Sequence, residues 1–159
     1  MLEECLATAH ELRRALELEV ERAQREREVL RTLDSDRLFA GAAARAGFNA
    51  EVARLETALA GALARAASAL GLSEVTLHRL ATRAPDGAAE LARVLGDIRS
   101  LAGALAELDR LNLMLAGRAL ACVQGYLTAL NPTPTAYDRR GLRAAAPPLS
   151  SLTSRSSKV

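Results

Sequence analysis

Apolar side chains recur at alternating spacings of three and four residues through residues 87–130, and this repeat restricts the possible folds most. Seven-residue repeats of this kind align one apolar edge along a helix, which needs a second helix to cover it. One heptad position holds Leu91, Ile98, Leu105, Asn112, Ala119 and Tyr126, and the other holds Val94, Leu101, Leu108, Leu115 and Cys122. The segment therefore predicts a long helix packed lengthwise against other helices.

Similar patterns predict three earlier helices, separated by residues that favour caps and turns. Asp34 and Ser35 are good N-cap types, although a continuous helix through them is also possible. Gly71 suits a helix end, Ser73 suits a start, and residues 85–87, Pro-Asp-Gly, suit a break. The predicted helices cover about residues 2–33, 36–70, 73–83 and 88–130.

Composition supports an all-α fold with a thin core. Alanine and leucine, both strong helix formers, are the commonest residues, whereas the chain has only two Phe, two Tyr and no Trp. We predict an elongated antiparallel helical bundle or coiled coil of three long helices and one short helix. The mixed Glu and Arg residues of the first helix, "ELEVERAQREREVLR", are expected on its solvated face.

Residues 131–159 differ in composition from the helices. They contain four of the five prolines, many serines, five basic residues and one acidic residue. Proline and the residue before it disfavour helix, and low hydrophobicity does not favour a core. The chain is therefore predicted to comprise a helical domain, 1–130, and a disordered tail, 131–159.

The sequence lacks the residue patterns that are typical of several functional classes. The basic residues form no stripe interleaved with aromatics, as in a nucleic-acid surface, and the amino terminus has no long apolar run for a signal peptide or membrane helix. Cys5 and Cys122 have no companions at metal-ligand spacing and are expected to be buried thiols, while His10 and His78 lack catalytic partners. We predict a cytoplasmic protein that is not an enzyme and has no cofactor, metal, nucleic-acid partner or membrane insertion.

The carboxy-terminal half of the last helix is apolar on more than one face. Its sequence, "LNLMLAGRALACVQGYLTAL", contains a single charge. Either the bundle buries this segment or part of it docks a partner. Asn112 falls within the heptad seam, where a lone Asn commonly fixes the register between helices.

The stretch "ELDRLNLMLAGRALACVQGYLTALNPTPTAYDRRGL" resembles the end of the FlgN family of flagellar export chaperones. In that family an "LNxxN" type segment leads through an apolar helix and a short spacer to a "TYGxxG" element. Leu111 and Asn112 match the first motif, and Tyr137 and Gly141 match the second. Leu115 replaces the second Asn, and Asp138 follows Tyr137 in place of Gly.

The resemblance implies a cytoplasmic chaperone that binds hook-filament junction proteins, keeps them unassembled and delivers them to the flagellar export gate. The partner-binding residues it suggests are Asn112, Leu113, Leu115, Leu120, Val123, Tyr126, Leu127, Leu130, Tyr137 and Gly141. One alternative is a structural helical adaptor or coiled-coil oligomer. Another is a nucleic-acid or membrane-surface protein that uses the basic tail.

Overall fold

Four α-helices make up the described part of the chain. The computed structural model describes residues 2–72, 74 and 76–130, and contains no strand in those ranges. The helices are α1 (Glu3–Thr32), α2 (Ser35–Ala69), α3 (Leu77–Arg83) and α4 (Pro85–Leu130). The predicted all-α class, with three long helices and one short one, is confirmed. The tail, 131–159, lies outside the described residues.

The break between α1 and α2 resolves the alternative of a continuous helix. Leu33 ends α1 in the left-handed conformation, with φ of 53°. Asp34 then caps α2, because its carboxylate accepts a hydrogen bond from the backbone N–H of Arg37 at 3.1 Å. This two-residue connection lets the chain reverse direction immediately.

The end of α2 is a Schellman motif built on Gly71. Gly71 has φ of +67°, its N–H donates to the Ser68 carbonyl at 3.1 Å, and the Leu72 N–H donates to the Ala67 carbonyl at 2.9 Å. Thr76 caps α3 by accepting from the Arg79 N–H at 3.2 Å, so this helix begins at Leu77 and not at the predicted residue 73.

The residues that were expected to break the chain before the last helix instead begin it. Pro85 is the first residue of α4, a position where its missing N–H costs nothing. The helix thus starts three residues before the predicted boundary at residue 88.

Gly71 provides a stability prediction with an internal control. Gly71→Ala should lower the free energy of unfolding by about 1 kcal/mol, because alanine is strained at positive φ. Gly47→Ala, in the interior of α2, should instead raise it by about 0.5 kcal/mol, because alanine lowers the conformational entropy of the unfolded chain. The added methyl group would meet open space, so it causes no clash. Urea denaturation of both variants measures the two effects, and equal changes would contradict the role given to Gly71.

Residues 1–119 form one compact unit and residues 120–159 a second. In the first unit α1 and α2 are antiparallel, since Glu4 pairs with Arg65 and Glu19 with Arg45. α4 runs parallel to α1, since Arg13 pairs with Asp97 and Asn112 binds near Ala23. Leu91 and Val94 are fully buried between these helices.

The core of the first unit is the predicted seam of leucine and small residues. Buried positions include Cys5, Ala9, Leu16, Ala23, Leu55, Leu80, Leu91, Val94 and Leu105. Asn112 is the last buried residue of α4. Two expectations are therefore wrong: Cys122 and Tyr126, placed in the seam by their heptad positions, are exposed, and Cys122 is not a buried thiol.

Candidate partner-binding surface

Asn112 is buried and hydrogen-bonded to α1. Its Nδ2 donates to the Ala23 carbonyl at 2.8 Å and to Glu26 Oε2 at 3.0 Å, and its Oδ1 accepts from Arg27 Nε at 3.4 Å. These bonds satisfy a polar side chain that would otherwise be costly to bury. They also fix the register of α4 against α1 at an offset of 85 to 89 residues. Asn112 thus positions α4.

A buried carboxylate, Glu19, joins the three long helices about one turn of α4 before Asn112. Glu19 accepts from Arg22 Nε at 2.8 Å and from Arg45 Nη1 at 2.5 Å, and Arg45 also binds Asp109 on α4. Arg22 donates a further bond to the Gly41 carbonyl at 2.7 Å. The network places one carboxylate from α1 and one from α4 on the same arginine of α2.

Glu19 corrects the prediction that the charged residues of α1 lie on a solvated face, since it is only 4% exposed. Burial on its own raises the pKa of Glu19, but hydrogen bonds and positive charge from Arg22 and Arg45 outweigh it and hold the pKa below its ordinary value of 4.5. Glu19 lies three or four residues from the buried Leu16 and Ala23, on the same side of α1 as Leu12. This spacing is the sequence signal that could have indicated its burial.

The lowered pKa predicts how stability depends on pH. The pKa of Glu19 is lower in the folded state than in the unfolded state, so its contribution is complete above about pH 4.5 and is lost as the pH falls through the folded-state value. Glu19→Gln should therefore show a smaller decrease in the free energy of unfolding between about pH 6 and pH 3 than the parent protein. Denaturation across that range measures it, and an unchanged pH dependence in Glu19→Gln would contradict the role given to this carboxylate.

Within the first unit, α4 exposes apolar side chains next to Asn112. Leu113 is 75% exposed, Met114 is exposed, and Leu115 is half-buried. Met114 and Leu115 line a groove of about 220 Å³ together with Leu111, Arg27 and Arg118. Met114 is not among the predicted site residues, although it lies between two that are, Leu113 and Leu115.

The described part of the second unit is the last three turns of α4, residues 120–130. Every residue of Leu120–Leu130 is exposed, and five of them are large and apolar: Leu120, Val123, Tyr126, Leu127 and Leu130. Tyr126 is 66% exposed and Leu120 is 59% exposed. Isolated exposed leucines are ordinary on protein surfaces, but five in three helical turns form a contiguous patch.

These five side chains share one side of the helix. At about 100° per residue they fall within an arc of roughly 120°, which we call the apolar stripe. The other positions of these turns hold small or polar residues: Ala121, Cys122, Gln124, Gly125, Thr128 and Ala129. The large apolar side chains of this segment therefore lie on one side of α4, with the geometry of a helix face that packs against another helix.

The predicted site residues that the structure describes fall into three groups. Asn112 is buried, Leu113 and Leu115 lie in the first unit, and the stripe contains the five large apolar residues of the second. Tyr137 and Gly141 lie outside the described residues. Of the two alternatives for the apolar helix end, burial within the bundle does not occur among residues 120–130.

The described residues can also be searched for a metal-binding cluster. In the described part of the chain, no three His, Cys, Asp or Glu side chains are grouped so that they could hold a metal ion.

α4 contains an eighteen-residue stretch with mean hydropathy 1.3, none of it buried, which is long and apolar enough to cross a membrane. Core helices and signal sequences meet the same criterion, so this is weak evidence for a membrane segment.

Comparison with known families matches nearly the whole chain. A family model described as FlgN protein matches residues 1–144. The chain belongs to the FlgN family. FlgN proteins are chaperones of flagellum biogenesis and protein export, and are not known as enzymes. The match includes Tyr137 and Gly141, while no curated protein and no solved structure matches the chain.

Proposed function

We propose that this FlgN protein is a cytoplasmic chaperone that binds hook-filament junction proteins through the apolar stripe of α4. It keeps these clients unassembled and delivers them to the flagellar export gate. The observation that carries the proposal is the stripe itself, with five large apolar residues exposed in three helical turns. A client that presents an amphipathic helix can cover the stripe by helix-to-helix packing.

The other predicted site residues have distinct roles in this proposal. Asn112 acts from inside the bundle by fixing the register of α4, because its side-chain donors and acceptor are already bound to α1. Leu113, with its high exposure, and Leu115 extend the contact surface along α4. Tyr137 and Gly141 contribute a tail element that contacts the client or the export gate.

Removing residues 131–159 tests the proposed role of the tail. The truncated protein should keep most of its helical circular-dichroism signal, because it retains the four helices of the described residues, which lie within residues 3–130. It should bind a purified hook-filament junction protein about tenfold more weakly, owing to the lost tail contacts. Calorimetric titration of both forms measures the change. If the full-length protein does not copurify with any junction protein of the same organism, the proposed function is wrong.

Self-association through the stripe is the second candidate function, because the same exposed surface could be covered by another copy. It predicts a stable dimer or higher oligomer that Leu127→Asp converts to monomer, measured by sedimentation equilibrium. A monomer that binds the client one to one would favour the chaperone role instead. Vesicle flotation would show whether the apolar stretch of α4 partitions into lipid.

A further inference from the structure

An open groove of about 410 Å³ lies between α1 and α2 near the turn that joins them. Leu18 and Val29 from α1 and Leu38 from α2 provide its apolar lining, and Leu18 is 57% exposed. The groove extends along α1 from Leu18 to Val29, which is roughly 16 Å or three helical turns. It lies within the first unit and shares no residue with the apolar stripe.

The rim of the groove carries one exposed arginine on each helix, Arg25 on α1 and Arg37 on α2. Arg25 and Arg37 are largely exposed, and their partners in this chain, Glu21 at 3.9 Å and Asp34 at 3.3 Å, are neighbours on the surface. Exposed pairs of this kind contribute little, so both arginines can exchange them for other carboxylates at small cost. The acidic lining residue, Glu26, already accepts a hydrogen bond from Asn112.

We propose that this groove is a second docking surface, and that it binds an amphipathic helix of another protein with acidic residues flanking its apolar stripe. The length of the apolar lining fits about three turns of such a helix. Positive charge on both α1 and α2 selects carboxylates on its flanks. The chain's own tail is unsuited, because residues 131–159 carry five basic residues and one acidic residue.

Two synthetic peptides test this proposal on the full-length protein. Both are fluorescein-labelled, about 15 residues long and share one leucine stripe; one has Glu at the flanking positions and the other has Lys. Fluorescence anisotropy should show the Glu peptide binding at least about tenfold more tightly than the Lys peptide. The variant Arg25→Glu with Arg37→Glu should weaken binding of the Glu peptide at least about tenfold.

A matched variant controls for total charge. Arg54→Glu with Arg99→Glu makes the same charge change at exposed positions outside the groove, and Arg54 has a carboxylate partner three residues away, as Arg37 does. Its affinity for the Glu peptide should stay within about twofold of the parent protein, since the charges it reverses do not line the groove. Circular dichroism of both variants should show unchanged helicity.

Several results would overturn the proposal. These are no binding of the Glu peptide, equal binding of both peptides, or equal losses in the two charge-reversed variants. If Leu120→Asp with Leu127→Asp abolishes binding of the Glu peptide and the groove variant does not, the peptide binds to the apolar stripe and not to the groove. A dimer abolished by the groove variant, or displacement of the Glu peptide by a tail peptide of residues 131–159, would assign the groove to a second copy or to the tail.

Discussion

Replacing Leu120 and Leu127 together by Asp is expected to weaken binding to a hook-filament junction protein by at least about 100-fold. The two leucines are seven residues apart, on the same side of α4, and are 59% and 54% exposed. Since neither is part of the core, the helical content and the free energy of unfolding should change little. In the complex, two carboxylates would lie against an apolar client helix without partners.

The same three turns provide a matched control for this effect. Ala121→Asp with Thr128→Asp introduces two carboxylates at the same seven-residue spacing on the opposite side of α4, where both residues are exposed. This variant should bind the junction protein within about threefold of the parent. Calorimetric titration of both variants makes the comparison, and similar losses in the two would mean that charge, and not the apolar stripe, controls binding.

Glu19→Ala is expected to be the most destabilising of the charge deletions, lowering the free energy of unfolding by about 2 kcal/mol. Glu19 is 4% exposed and receives hydrogen bonds from Arg22 and Arg45. Its removal leaves both guanidinium groups partly buried and short of a carboxylate, although Asp109 remains to pair with Arg45. The partial exposure of the arginines keeps the loss below that of a fully buried pair.

Glu17→Ala is the control for Glu19→Ala. Glu17 lies on the same helix and pairs with Arg13 at 3.4 Å, but half of its side chain is exposed. Its removal should cost no more than about 0.5 kcal/mol. Urea denaturation at pH 7 compares the two variants, and an equal cost would show that the buried network adds nothing to an ordinary surface pair.

The helices and their seam could be predicted because they depend on local spacing and on caps. The heptad pattern correctly placed Leu91 and Val94, both fully buried, and the cap residues located the break at Asp34. The pattern could not show where burial ends, because heptads continue through Tyr126 regardless of what covers them. The hydrogen bonds of Asn112 set the register, and α1 ends at Thr32, so its pairing with α4 ends near residue 118.

The buried network could not be predicted for a related reason. Glu19 and Arg45 are 26 residues apart, and Arg45 and Asp109 are 64 apart, so their pairing depends on how three helices are rotated against one another. In the sequence, Glu19 stands among many similar charges. The family resemblance selected the residues of the apolar stripe, whereas the exposure of each could come only from the three-dimensional arrangement.

Hydrogen–deuterium exchange of the full-length protein, with and without a bound hook-filament junction protein, tests most directly whether the apolar stripe is the client-binding surface. Exposed helical turns open readily, so residues 120–130 should exchange fast in the free protein. Binding should slow their exchange at least about tenfold while the core around Leu91 stays unchanged. Unchanged exchange in residues 120–130, with protection elsewhere in the chain, would contradict the proposed site.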